Sequence, residues 1–298
     1  MEKEANLRHW DSWAAAFATD LRATTKCLSI KRLELDAFSR RIAPLAPPVS
    51  LLEIGCGNGV NGFLLAERFP RMVYVGVDFS TRMIQAAMDL GKQRSARAEL
   101  LSRMAFGVSD ARQLTAPLAL DSSKPSFRGP AIFSSLPELE EFDVVMTDRM
   151  LINLATPEEQ LDVMARIATL VRDGGMFLML ENSLQCHRRL NALRAAVDLP
   201  ERVPAEFNVF VDEERVVDPF RDHMTLEAVD DFGALHDLAL YVVQAALSNG
   251  EILYDTPMMS GLTDAILEMR ERGVSGSPPI GQNRLWVWRK GGGASDGS

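Results

Sequence analysis

The chain has 298 residues, 47% of them hydrophobic and 24% charged, with 32 Lys and Arg against 41 Asp and Glu for a net charge of −9. These proportions predict a soluble globular protein, one large α/β domain or a core with a cap, and the pI near 5.1 weighs against a nucleic-acid substrate, which favours a basic face. Cys27, Cys56 and Cys186 are odd in number and lack metal-ligand spacing, the N-terminus has no apolar signal segment and no run approaches ~18 apolar residues. No disulfide framework, metal or membrane span is therefore expected, and a cytoplasmic location is.

In chain order, Trp10 to Ile42 reads as mostly helical and semi-apolar, so residues 1–48 are expected to form an N-terminal helical lid. The alternation of short apolar runs with helical periodicity over residues 49–181 then predicts a parallel sheet wrapped by helices, with strands at 49–54, 72–77, 104–108, 142–147 and 175–181. The first strand ends in Leu51-Leu52-Glu53-Ile54-Gly55-Cys56-Gly57-Asn58-Gly59. Glycines there admit positive φ and let backbone amides approach a ligand, while a carboxylate within a buried strand needs a partner, expected to be a cationic part of the ligand or a turn amide.

The helix after this turn should stop at Pro70, and the next should start at Ser80 as N-cap. Asp78 closes the second strand, where a carboxylate accepts from ribose hydroxyls in nucleotide folds. Residues 115–141, with five prolines and glycines, read as a surface insertion. A helix should begin at Thr156, with Pro157 at its first position and Glu159 completing a capping box, carry Leu161, Met164, Ile167 and Leu170 on one face, and end at Gly174-Gly175. Residues 184–274 look helix-rich, Arg284 to Lys290 alternates like a last strand, and Gly291 to Ser298 is a polar tail expected to be disordered.

The glycine segment resembles motif I of the class I S-adenosylmethionine-dependent methyltransferases, (D/E)-x-G-x-G-x-G, met at Glu53, Gly55, Gly57 and Gly59. The resemblance implies a Rossmann-like α/β fold with a seven-stranded sheet and helices on both faces, an S-adenosylmethionine-binding core at 49–183, and a helical cap completing the sheet at 184–290. It also implies S-adenosylmethionine contacts from Glu53, Gly55, Cys56, Gly57, Gly59, Asp78, Phe79 and Met83, from Asp110 at the adenine amino group beside Ala111, and from Arg22 and Lys26 to the methionine carboxylate. Residues beyond the fourth and fifth strands border the methyl group in that family, making Asp148, Arg149, Asn153, Glu181 and His187 the candidates for acceptor contact or for a base. The Asn/Asp-Pro-Pro-Tyr/Phe signature of amino-group methyltransferases acting on nucleobases and protein glutamine is absent. The implied acceptor is a small molecule or saccharide, methylated on oxygen or nitrogen.

Other readings stay open at this level. Gly57-Asn58-Gly59-Val60-Asn61-Gly62, with Asp78 further on, also satisfies the dinucleotide fingerprint of an NAD-dependent oxidoreductase. A noncatalytic interaction module on the same fold is a third reading, because fold does not fix function. Arg188, Arg189 and Arg194 at helical spacing would suit an anionic acceptor if they faced the mouth of the sheet, or would simply be a solvated helix surface.

Overall fold

The computed structural model describes residues 3–94, 98–118, 123–128, 140–274 and 278–291. Its helices are α1 (Lys3–Phe17), α2 (Leu28–Ile42), α3 (Val60–Arg68), α4 (Thr81–Gln93), α5 (Ala98–Leu101), α6 (Pro157–Leu170), α7 (Leu184–Ala195) and α8 (Pro257–Glu271), with a further helical run over 234–247 and shorter helical turns. The strands are β1 (Val49–Ile54), β2 (Met72–Asp78), β3 (Met104–Val108), β4 (Ser126–Arg128), β5 (Phe142–Asp148), β6 (Val171–Asn182), β7 (Thr225–Asp230) and β8 (Asn283–Arg289).

They form one mixed sheet in the order β4-β3-β2-β1-β5-β6-β8-β7. The five strands from β3 to β6 run parallel, and β8 pairs antiparallel with both β6 and β7. Seven strands thus make the expected sheet. The eighth, β4, comes from the insertion and pairs antiparallel with β3; the rest of 119–139 and the tail beyond Gly291 lie outside the described residues, apart from Ser123 to Arg128. The pleat sends alternate residues to two cores. Leu51, Tyr74, Phe106, Val144, Leu178 and Val287 pack on the face covered by α2, α3, α4 and α8, and Leu52, Val75, Val145, Phe177, Trp286 and Trp288 on the face covered by α6.

Three expectations are corrected. α2 belongs to the core, because Ile30, Leu33, Ala37 and Phe38 recur at helical spacing and are fully or nearly buried; α1 and the turn Leu21–Ala23 are what stand over the sheet's edge. Gly174-Gly175 does not end α6, which runs from its Thr156 cap to Leu170 and straight into β6. The pair sits inside β6, where the register against β5 slips and Gly174 has φ +70°. β7 lies in the stretch read as helical, its half-exposed alternating face fitting an edge strand.

β1 is the point at which the chain reverses direction across the sheet, with β2 and β3 on one side and β5 and β6 on the other. Ligands of open α/β sheets bind outside the carboxyl ends of the strands at such a point. All five parallel strands end there.

Candidate active site

A cavity of about 510 Å³ opens over those strand ends, within the range of roughly 300–1,000 Å³ for small-molecule and cofactor sites. Its floor is the glycine turn. Gly55, Gly57 and Gly59 have φ of +74°, +54° and +75°, and a Cβ on Gly55 or Gly57 would come within 2.4 Å of Met150 or 2.7 Å of Thr24. Gly55 and Gly57 line the cavity. Gly59 instead begins α3 against Phe106, and Cys56 points into the core with its thiol pushed up by burial.

Asp78 is buried, and its oxygens accept from Gly57 N at 2.9 Å and Ser80 N at 2.8 Å. Burial raises its carboxyl to about 6 against those amides, and among the described residues no cation is bonded to it. Asp78 also lines the cavity, so a ligand there meets a buried acid already held by two backbone amides. Phe79, Met83, Asp110 and Ala111 line the same cavity. Asp110 caps the turn Ala111–Gln113 and holds Arg112 at 2.9 and 2.8 Å.

The N-terminal segment closes the cavity. Asn6, His9, Trp10 and Trp13 of α1 line it, Asp11 accepts from Ser80 Oγ at 2.7 Å, and Asn58 donates to the Ala18 and Asp20 carbonyls at 2.9 Å each. Lys26 lines the cavity with its ammonium 5.6 Å from the Trp13 ring centre, and it has no carboxylate partner among the described residues. Arg22 does not line it: both its Nε and Nη2 are taken by Asp20, at 2.9 and 2.6 Å, on the exposed side of the turn.

Asp148 and Arg149 line the cavity and belong to an ion network behind its wall that the sequence pattern conceals. Asp148 accepts from Lys31 Nζ at 2.6 Å and Asn61 Nδ2 at 2.9 Å, Lys31 also pairs with Glu34 at 2.6 Å, and Arg149 bonds Glu34 and approaches Asp148 at 3.4 Å. Burial opposes ionisation of Asp148, yet Lys31 and Arg149 hold its carboxyl down at about 2. Arg149 adopts φ +55°, a conformation that costs a non-glycine residue on the order of 1–3 kcal/mol and that the network over-determines. Glu53 joins through Asn61, with Tyr74 OH donating to it at 2.6 Å and Asn61 Nδ2 at 2.8 Å. The partners expected for Glu53, a ligand cation or a turn amide, are thus replaced by an amide side chain and a phenol, and burial lifts it to about 7.

Asn153 lines the cavity, donates to the Arg149 and Met150 carbonyls and leaves its Oδ1 unpartnered. Glu181 faces away. Its carboxylate accepts from the Met150, Leu151 and Ile152 amides at 3.1, 3.0 and 3.4 Å, capping the turn Leu151–Asn153, and burial raises it to about 8.

A smaller chamber of about 250 Å³ adjoins the first and shares Thr24, Thr25, Lys26, Arg149, Asn182 and Asn208 with it. His187 belongs to this chamber, its Nε2 2.9 Å from the Arg202 carbonyl and its basicity lowered by burial. The arginines of α7 do not reach it. Arg188 and Arg189 are exposed, Arg189 donating to the Pro279 carbonyl, and Arg194 is buried against the Pro200 and Tyr241 carbonyls. Arg202, which no motif singled out, is the arginine of that region that lines the chamber.

Comparison with known proteins bears on the family and the fold. A model described as a methyltransferase domain matches residues 47–211. The trans-aconitate 2-methyltransferase of Methylobacterium radiotolerans is 37% identical over 78 residues, 26% of each chain, so the chain spans about a quarter of that relative. Two solved structures share the fold: the geranyl diphosphate C-methyltransferase of Streptomyces coelicolor A3(2), with S-adenosyl-L-homocysteine bound, has a TM-score of 0.52 at 12% identity over 96% of this chain and 97% of that one. The methyltransferase in complex with the Haloferax volcanii Trm112 activator has a TM-score of 0.53 at 15% identity over 95% and 97%. The family match favours the methyltransferase register of the glycine turn over the dinucleotide one; Gly62, third in the rival fingerprint, packs inside α3 on Tyr74. The chain belongs to the class I S-adenosylmethionine-dependent methyltransferase family.

Proposed function

We propose that the protein transfers a methyl group from S-adenosylmethionine to an oxygen or nitrogen of a small-molecule acceptor, anionic or saccharide, seated in the smaller chamber. The carrying observation is that chamber itself, about 250 Å³, whose wall shares Lys26, Arg149, Asn182 and Asn208 with the cofactor cavity. In this reading Asp78 takes the ribose hydroxyls, Asp110 the adenine amino group and Lys26 the methionine carboxylate. Asp148, Arg149 and Asn153 border the transferred methyl.

S-adenosylmethionine supplies an already activated methyl on a sulfonium. What the chain supplies is alignment, which can contribute several of the roughly 7–11 kcal/mol available from proximity. The carboxylates beneath the site are poorly suited to proton abstraction: Asp148 is stabilised as an ion by Lys31 and Arg149, and Glu181 is occupied by three amides. The relative named for trans-aconitate is in keeping with an anionic acceptor, and the three buried free thiols with a reducing, cytoplasmic setting. Titration of the full chain with S-adenosylhomocysteine and, separately, with NAD tests the cofactor half of the reading. Binding of NAD alone would end it.

A further inference from the structure

The smaller chamber holds a cation in an unusual state. Arg202 is fixed at every level: its N–H donates to Asn191 Oδ1 at 3.1 Å, its carbonyl accepts from Asn191 Nδ2 at 2.9 Å and faces His187 Nε2 at 2.9 Å. Its guanidinium lies 3.5 Å from the Tyr241 ring centre, and Nη1 donates to Gln282 Oε1 at 2.8 Å. His187 and Asn191 stand one turn apart on α7, so a single helix face grips both backbone groups of this residue. The neighbouring Glu201 accepts from Asn191 Nδ2 at 3.2 Å, yet it forms no ion pair with the guanidinium. No Asp or Glu lines the chamber, and Arg202 forms no ion pair among the described residues, whereas Arg149 on the shared wall is matched by Glu34 and Asp148.

With Nη1 taken and one face covered, the free edge is Nε and Nη2, two nearly parallel donors spaced for a carboxylate. An arginine already held in place loses little side-chain entropy on meeting its ligand. Lys26, on the wall shared with the cofactor cavity, is assigned above to the methionine carboxylate, which leaves Arg202 as the cation for the acceptor.

We propose that the acceptor is a small carboxylic acid, bound through its carboxylate by the clamped Arg202. This rests on the methyltransferase reading above and names its acceptor class. His187 and Asn191 are positioning residues in it, acting through the Arg202 backbone.

The test is calorimetric binding to the full chain, with and without saturating S-adenosylhomocysteine. The probes are succinate, malate and citrate against succinamide, glycerol phosphate and glucose. At least one of the acids should bind, with succinate ten-fold or more tighter than succinamide. Arg202→Gln should abolish that difference, Arg202→Lys should restore part of it, and both variants should keep their affinity for S-adenosylhomocysteine. Succinamide or glucose binding as tightly as succinate would overturn the proposal. So would glycerol phosphate outbinding every acid, unchanged acid binding in Arg202→Gln, or binding of none of the acids. Failure of S-adenosylhomocysteine to bind would strike the methyltransferase reading instead, while the acid-to-amide comparison without it still decides the role of Arg202.

Discussion

Replacing Asp78 with Asn separates what this residue does for the fold from what it does for the cofactor. In the free protein the carboxylate is buried, accepts from Gly57 and Ser80, and sits at about 6 instead of its ordinary 3.8. A rise of that size corresponds to a penalty on the order of 3 kcal/mol for keeping the group ionised at neutral pH. The sign follows from proton counting: between the unfolded and folded values the native state binds more protons, so stability falls as pH rises from about 4 to about 6 and the penalty is complete above that. Asn removes the penalty but can accept only one of the two backbone bonds, each worth about 1.5–3 kcal/mol when made to a charged group. The two changes nearly offset, so the Asp78→Asn protein should unfold within about 1.5 kcal/mol of the wild type. Cofactor affinity should not survive so well. Losing a charged acceptor for ribose costs about 1.5–3 kcal/mol, roughly 10- to 150-fold in the dissociation constant. Calorimetric titration with S-adenosylhomocysteine, beside urea denaturation, reads both effects. Wild-type affinity should also weaken as pH drops below about 6, where the acid protonates, and the variant should lack this dependence. A folded Asp78→Asn protein with wild-type affinity would refute the reasoning.

His236 makes a second pH test. Burial opposes its charge, but hydrogen bonds to Asp237 and Cys27 raise it to about 9, so its stabilisation is complete below 6.5 and lost as pH rises through about 9. It amounts to at most about 3 kcal/mol, and His236→Asn should flatten the stability profile across that window in urea melts. Glu34→Gln breaks the buried network around Lys31 and Arg149 and should cost about 3–5 kcal/mol, with strong coupling to Lys31→Met in a double-mutant cycle; additive losses would show that the pair does not interact. Glu181→Gln should keep turnover within a few-fold, since the amide oxygen can still cap the Leu151–Asn153 turn; loss of turnover in a folded variant would restore Glu181 as a base. A chain beginning at Leu21, without α1, should fold and bind S-adenosylhomocysteine more weakly, because Asn6, His9, Trp10 and Trp13 wall the cavity.

What could be read from the sequence was what the backbone decides locally. An apolar strand followed by Gly55, Gly57 and Gly59 has few other uses, and Asp78 at a strand end, Ser80 as a cap and Thr156 with Pro157 follow rules that act within a few residues. The side chains that complete the site obey no such rule. Lys31 and Glu34 meet Asp148 and Arg149 across more than a hundred residues, and the one local hint was that Glu34 shares the buried stripe of α2 with Ile30, Leu33 and Phe38. The roles of the arginines on α7 depended on the rotation of that helix, set by Cys186 and Leu190 in the core, which turns Arg188 and Arg189 outward. Arg202 sits in an irregular connection, and its place is fixed by Asn191, Gln282 and Tyr241, partners that periodicity cannot bring together. β7 escaped because an edge strand buries only half its face.

The central claim is methyl transfer, and the most direct measurement follows the methyl group itself. Full-length protein is incubated with S-adenosylmethionine carrying a labelled methyl and a mixture of small carboxylic acids, sugars and amines, and S-adenosylhomocysteine and labelled product are quantified together. The account predicts that the two appear in equal amounts, that the label enters a small carboxylic acid, and that Asp78→Asn suppresses both at limiting cofactor. S-adenosylmethionine bound but never consumed with any of these acceptors would contradict it.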